Sequence, residues 1–508
     1  MAINQIKKSA RLPWYVLLIG LSAPMILYAN NLGEVTLSSL WQPLLLSGLL
    51  GLLLLGIAYL ILKDIQKAGL VTSIVEVLLF SYGHIYNLVK PLTILGRPIG
   101  RHRYLLPILL LVTALLIWRV IKSSSDKGSL SLLINVVTVV LFAFQLIQIS
   151  FFEIKLYRNQ RQTVELTEQT QGMVFEGEKR DIYILLLDAY RRSDWLLEST
   201  EYDNSDFLQN LEELGFVIAP CSRSNYSYTL LSMTSELNMA YLDTLFDPIS
   251  DIETSNLIKH SEVRHIVEDL GYKTIFFQNY YPRVDIDDGD YYIKPKDVFT
   301  YDPFKVLFMQ TTILTIPFDL LEQQAAETSW SPEHADLNRQ AMLVQSIFEF
   351  LQMPHGYDAP VFVYAHILSP HSPRVFNADG SINYEWEQSG NDSFFNTYQY
   401  LDNETIKTIE AILANSDPEP IIILQSDHGD GDGSYRNLTL NAFYLPDGGD
   451  EMIYPTITPV NFFRIIFNTY FDMDFDLLED KSYYSEELNR YNLEEVQDPY
   501  DYCRDLNQ

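Results

Sequence analysis

Asp427 and His428 stand side by side at the end of an apolar run, in IIILQSDHGDGDG from Ile421 to Gly433. A carboxylate and an imidazole released from a strand into a glycine-rich turn can face one metal ion, because glycine lets the backbone fold back around it. Asp188 ends a second run of the same kind, DIYILLLDAYRR, and His366 and His371 follow a third, VFVYAHILSPHSP. Two carboxylates and an imidazole offer O, O and N donors, a mixed set that suits zinc or manganese and leaves a position for a nucleophile or substrate. The nucleophile belongs in CSRSNYSYTLLSMTSELNMAYLD, where Thr229 opens a helical stretch. Unpaired amides and the dipole at such a helix start favour a phosphate or sulfate anion, and a metal on the hydroxyl brings the alkoxide within reach near neutral pH. Blander readings stand beside these. Asp427 and His428 also fit a solvated acidic turn, Thr229 also fits a simple N-cap, and Ser227 and Ser232 are competing hydroxyls. The metal reading gains from three distant segments that all end the same way.

Positioning such groups requires strands that stop together. Ile182 to Leu187, Val361 to Ala365 and Ile421 to Leu424 are short, continuous apolar runs, the pattern of strands buried on both faces. Between them NSDFLQNLEELG, EVRHIVEDLG and NETIKTIEAILANS have helical spacing, two of them closed by glycine. This alternation predicts an α/β fold, a mainly parallel sheet with helices on both faces, in which ligands bind beyond the carboxyl ends of the strands. Asp188, His366 with His371, and Asp427 with His428 would then share one crevice. After the last motif, LNAFYLPDGG predicts an edge strand and TITPVNFFRIIFNTYF an amphipathic helix, with an acidic, Tyr-rich end expected to pack loosely.

The chain has two unlike parts. Residues 1–160 carry 14 Lys and Arg against 5 Asp and Glu, whereas residues 161–508 carry 21 against 61. So acidic a C-terminal part excludes nucleic acid as a partner. The basic N-terminal part holds five apolar spans, near 12–29, 43–62, 70–89, 104–121 and 130–152, the third weakened by Glu76 and His84. Five spans with the N-terminus inside put the C-terminal part outside, although the charge rule is almost balanced. Cys221 and Cys503 allow one bridge, but the expectation is a pair of free thiols.

Taken in order, DIYILLLDAYRRSD, SRSNYSYTLLSMTSELN, HILSPHSP and IIILQSDHGDG resemble the alkaline phosphatase superfamily. The likeness is to its membrane-anchored, sulfatase-like branch, which includes lipoteichoic acid synthases and phosphoethanolamine transferases. It covers residues 181–470, and the preceding spans also match that branch. It implies metal ligation by Asp188, Thr229, Asp427 and His428, a nucleophilic Thr229, and a substrate contact at His371. Asp188 stands where those enzymes commonly have Glu. Cys221-Ser222-Arg223 lacks the formylglycine pattern of true sulfatases. His366 is grouped with substrate binding, with a supporting or second-metal role and simple packing left open. Arg191 and Arg192 read as surface residues, and the acidic run from Asp285 to Asp290 as a solvated turn.

The expected organisation is a transmembrane domain (1–155), a linker or juxtamembrane segment (156–180) and a sulfatase-like catalytic domain (181–508). The expected activity is metal-dependent transfer or hydrolysis of a phospho- or sulfo-ester on an envelope lipid or glycan, in the cell membrane with an extracytoplasmic active site. The partners are the bilayer and an anionic, possibly lipid-linked ester. The alternative is a non-catalytic envelope binding or scaffold protein that keeps the same fold.

Overall fold

The computed structural model describes residues 12–32, 35, 37–94, 97–124, 127–166, 175, 177–245, 251–279, 281–295, 303–317, 332–486 and 489–506. Lys7 and Lys8, and half of the Thr163–Arg180 segment expected as a linker (167–174 and 176), lie outside these residues. The chain forms two compact units, residues 1–155 with 299–332, and residues 156–298 with 333–508.

The first unit is helical. Its helices are α1 (Trp14–Ala29), α2 (Trp41–Leu62), α3 (Ile65–Val89), α4 (His102–Lys122) and the part of α5 (Lys127–Leu166) up to Lys155. By length and composition, four helical stretches among the described residues can cross a membrane: Leu37–Leu62, Ile65–Val89, His102–Lys122 and Lys127–Ile154. α1 is apolar but only 16 residues long, about 24 Å at 1.5 Å per residue, short of a ~30 Å bilayer core. Helix α3, the weakest span in the sequence, starts at Asp64, whose carboxylate accepts from the amides of Gln66 and Lys67. Its Glu76 is fully buried, and Gly20 of α1 and Gly51 of α2 leave the space that its carboxyl fills. Residues 299–332, placed in the catalytic domain by the sequence reading, belong to this unit. The helix Pro303–Thr311 lies against α3: Ile313 N–H donates to Leu79 O (2.7 Å), Phe308 packs on Phe80, and a Cβ at Gly83 would strike Gln310 O.

The second unit is built on a seven-stranded sheet. Its strands are β1 (Ile182–Leu187), β2 (Val217–Ile218), β3 (Lys273–Phe277), β4 (Tyr291–Ile293), β5 (Val361–Ile367), β6 (Ile421–Gln425) and β7 (Asn441–Tyr444), in the spatial order β2-β7-β6-β1-β5-β3-β4. Every pairing from β6 to β4 is parallel, and only β7 with β6 and β2 with β7 are antiparallel. The mainly parallel sheet expected from the apolar runs is present. β1 is buried at every position, as a strand covered on both faces must be. One core contains Leu185, Leu187, Val344, Phe348 and Leu401, the other Ile184, Leu186, Met233, Ile266 and Phe463. Helix α6 (Thr229–Leu237) supplies Met233 to the latter, α7 (Pro332–Leu351) and α8 (Asn391–Asn415) pack in the former, and α9 (Phe462–Tyr470) contributes Phe463.

Four expectations fail here. β7 is not an edge strand, because the short β2 pairs outside it. Cys221 and Cys503 are not free thiols but a disulfide, with Cα atoms 5.4 Å apart. Nor does the C-terminal end pack loosely. It forms a hairpin, Ser482–Tyr484 with Glu494–Val496, and ends in α10 (Asp501–Asp505), where Cys503 is fully buried. Asp498, also buried, takes Arg192 Nη1 at 2.7 Å and Nη2 at 3.2 Å, which corrects the surface reading of Arg192.

Candidate active site

β1 stops at Leu187 and the next residue, Asp188, is held by backbone on both sides. Its N–H donates to Ile367 O (3.0 Å) and its carbonyl accepts His371 N–H (3.0 Å). Ala189 then takes a positive φ of 64°, a conformation uncommon for a residue with a Cβ, and donates its N–H to Asp427 Oδ1 (3.2 Å). β6 delivers the opposite wall. Ser426 accepts Tyr190 N–H (2.9 Å) and donates to His428 O (2.7 Å), fixing the turn that carries Asp427 and His428. Gly431 and Gly433 have the positive φ that such a turn needs. Gly429 is required for a different reason, since a Cβ there would lie 2.6 Å from Leu438 O.

The imidazole of His428 is oriented by Gly429 O, which accepts from Nδ1 at 2.6 Å. Nε2 faces Thr229 Oγ1 (3.2 Å), Asp427 Oδ2 (3.5 Å) and Asp188 Oδ1 (3.7 Å). Thr229 is the first residue of α6, whose nine residues are all buried. Asp188, Thr229, Asp427 and His428 therefore meet, although 41 to 199 positions separate Thr229 from its three partners in the chain. Asp188 Oδ1 and Asp427 Oδ2 are buried and have no hydrogen-bond partner. Unpaired buried carboxylate oxygens are costly, and a cation between them satisfies both.

His366 is the penultimate residue of β5, opposite Leu186 of β1, and its Nε2 lies 3.2 Å from Asp188 Oδ2. Asp188, His366 and Asp427 form a buried group whose ligand atoms lie within 4.8 Å of one another, and it could hold a metal ion. The proton on His366 bears on its part in that group. Asn279 Oδ1 accepts Tyr281 N–H (2.8 Å), which leaves its Nδ2 to donate to His366 Nδ1 (2.7 Å). The imidazole proton then sits on Nε2 and points at Asp188. His371 is exposed in the loop beyond β5, its ring 6.2 Å from that of His428. Burial alone would raise the Asp188 carboxyl, but the imidazoles of His371, His366 and His428 hold it well below the usual carboxylate range. Asp188 in turn raises the His371 imidazole.

Sequence reasoning missed the residues around a cavity of about 90 Å³ beside His371 and His428, which Arg374, Phe394, Asp430 and Arg436 help to line. Arg191 is buried behind it and its Nη2 donates to Asp430 Oδ2 (2.8 Å), which overturns its surface reading. The proximity of Arg374 to His371 in HSPR was the available signal. Glu236 of α6 was also missed. It accepts Gln425 Nε2 (2.5 Å) and Tyr364 O–H (3.2 Å), and burial pushes its carboxyl up to about 8. The run from Asp285 to Asp290 is occupied by Arg264, Lys259, Lys273 and Tyr292.

No family model and no curated protein matches the sequence. Solved structures similar to the chain include the C-terminal periplasmic domain of EcEptC from Escherichia coli in complex with Zn, at 12% identity and a TM-score of 0.42, over 66% of this chain and 98% of that one. The integral membrane protein lipooligosaccharide phosphoethanolamine transferase A from Neisseria meningitidis is 12% identical, with a TM-score of 0.35, over 90% of this chain and 94% of that one. The phosphonate monoester hydrolase of Agrobacterium radiobacter is 11% identical, with a TM-score of 0.35, over 62% and 83%. The second bears the name of a family that the motifs resemble. At such identities and scores, function follows from the chain's own residues.

Proposed function

We propose that this protein is a membrane-anchored, metal-dependent phosphoester transferase or hydrolase that works through Thr229. The observation that carries the reading is the meeting of Thr229 Oγ1, His428 Nε2, Asp188 Oδ1 and Asp427 Oδ2, with both carboxylate oxygens buried and unpaired. These four residues would hold the ion, with zinc or manganese suited to the donors. When bound, the ion supplies positive charge against the substrate's oxygens and eases loss of the threonine proton. His366 is then a positioning residue that fixes the Asp188 carboxylate, and not a substrate contact. His371, at the open side, reaches the phosphoryl oxygens.

A phosphoester is favoured over a sulfoester because Cys221, the cysteine that precedes α6 in the chain, is committed to a disulfide and is not available as a formylglycine precursor. That disulfide also supports an extracytoplasmic active site, since such bonds persist in oxidising compartments. The apolar helices make lipid-linked substrates accessible. A purely scaffolding module gains nothing from two unpaired buried carboxylates, so catalysis is the better account of them.

Full-length protein loaded with zinc or manganese and given bis-p-nitrophenyl phosphate should turn it over, and Thr229→Ala should reduce the rate at least about 10³-fold. The variant should still bind metal through the other three ligands. Turnover that survives the substitution, or that is indifferent to a chelator, rules out the mechanism.

A further inference from the structure

Within the helical unit, a cavity of about 390 Å³ lies among α1, α3, α5 and the helix Pro303–Thr311. α1 and α5 run side by side in one direction, since Tyr15 N–H donates to Asn135 Oδ1 (2.8 Å) and, further along both, Tyr28 O–H donates to Glu153 Oε1 (3.1 Å). α3 runs the same way, with Gly69 and Glu76 against Tyr15 and Gly20 of α1. Ile19, Val77 and Thr138 therefore mark one end of the cavity and, seven residues on in each helix, Ile26, His84 and Gln145 mark the other. The hydroxyls of Ser81, Thr138, Thr311 and Thr312 donate to carbonyls of their own segments, so these residues add little polarity to a wall that Phe80, Leu141 and Phe308 make apolar. Ser22 lies partway along it. Gln145 is only 6% exposed and its Oε1 has no hydrogen-bond partner, which is costly for a buried amide. Ile26 and Val77 are about half exposed on the outside of the unit, so the cavity opens toward the acyl chains that surround membrane-crossing helices.

An apolar wall with an imidazole and an unpaired amide at one end fits an amphiphile. A methylene fills nearly the ~30 Å³ that one water takes in the liquid, so the cavity holds about 13 such groups, one alkyl chain and not the two of a phospholipid. The head of that chain must bring a donor for Gln145 Oε1. An ester only accepts, and an ionised carboxylate has no proton to give and is costly to bury. A neutral carboxylic acid donates its O–H to the amide oxygen and accepts the amide N–H at its carbonyl, so that both ends of the amide are satisfied. We propose that this cavity binds a single-chain fatty acid in its neutral form, with the carboxyl paired to the Gln145 amide and the chain lying past Leu141 and Phe80 toward Ile19. Such a site belongs to the helical unit alone and does not rest on the phosphoester reading.

Full-length protein in phosphatidylcholine vesicles is irradiated with tetradecanoic acid carrying a mid-chain diazirine, or with the methyl ester of that probe, and labelled residues are located by mass spectrometry. The acid should label α1, α3 and α5 around Phe80 and Leu141 at least about tenfold more than the ester, which has lost the O–H donor. Excess unlabelled tetradecanoic acid should abolish this labelling. Gln145→Leu should bring the acid down to the level of the ester, and Leu141→Trp, which fills the cavity, should remove the label. Equal labelling by acid and ester, or labelling by the acid unchanged in Gln145→Leu, overturns the pairing of carboxyl with amide. Label absent from the cavity, whether none is found or all of it lies along α4, which has no buried residue, overturns the site.

Discussion

The Cys221–Cys503 bridge ties the segment before α6 to the C-terminal end of the chain, so its loss should be measurable as stability. The two cysteines are 282 positions apart. Closing a loop of that length removes enough chain entropy from the unfolded state to stabilise the fold by about 5 kcal/mol, the upper end of what disulfides contribute. For a unit of this size each kcal/mol moves the melting temperature by about 2 °C, so Cys221→Ala with Cys503→Ala should lower it by about 10 °C. Asp498 lies five residues before Cys503, and with the bridge gone its pairing to Arg192 and Arg223 remains, with the hydrogen bonds of Tyr500 to Glu198 and of Tyr502 to Asp194. Thermal unfolding of the full-length protein in detergent, with and without reductant, measures the shift. Maleimide labelling after denaturation counts thiols in protein taken directly from the membrane. Two labelled thiols in that material, or a melting temperature unmoved by the double substitution, would refute the reasoning, and the first result would also remove the support for an oxidising compartment.

Other outcomes follow from the same geometry. Asp498→Asn takes the buried carboxylate from beside Arg223 and leaves Arg192 with Asp194 alone, and should cost about 3 kcal/mol, read as a fall in the denaturation midpoint. Asn279→Leu removes the donor to His366 Nδ1 and should weaken metal binding about 10–100-fold, measured by competition with a chelator while the circular dichroism spectrum stays unchanged. Burial pushes the Asp402 carboxyl up to about 7, above an unfolded value of about 3.9. The folded state therefore binds the extra proton between those values, and this contribution to stability is present below about pH 4 and lost as pH rises through 7. Asp402→Asn should remove that part of the slope in melting temperature against pH, and an identical slope in the variant would contradict it. Gly83→Leu should detach the Pro303–Thr311 helix from α3, seen as faster hydrogen exchange at Ile313.

Much of the site could be read from the chain because strands buried on both faces must be apolar along their length. The polar residue that ends such a run is conspicuous, and Asp188, Asp427 and His428 were found in that way. Thr229 was legible as a helix start, and the apolar spans by length alone. His366 was misplaced by one step. Its strand continues through Ile367, so it is a strand residue facing Asp188 and not part of the loop that follows. Arg191, Arg192, Glu236 and Asp430 were hidden because a charged residue's sequence neighbours do not say whether its partner lies across the fold. Arg192 is buried only because Asp498, 306 positions away, arrives beside it. The bridge between the cysteines and the attachment of residues 299–332 to the helical unit are of the same kind. Local pattern reports which face of an element must leave water, and so it determined the strands, the apolar spans and the strand ends that carry the candidate site. Which proton sits on which imidazole, and which charges neutralise one another, depend on distances of a few ångströms between segments that only the folded chain brings together.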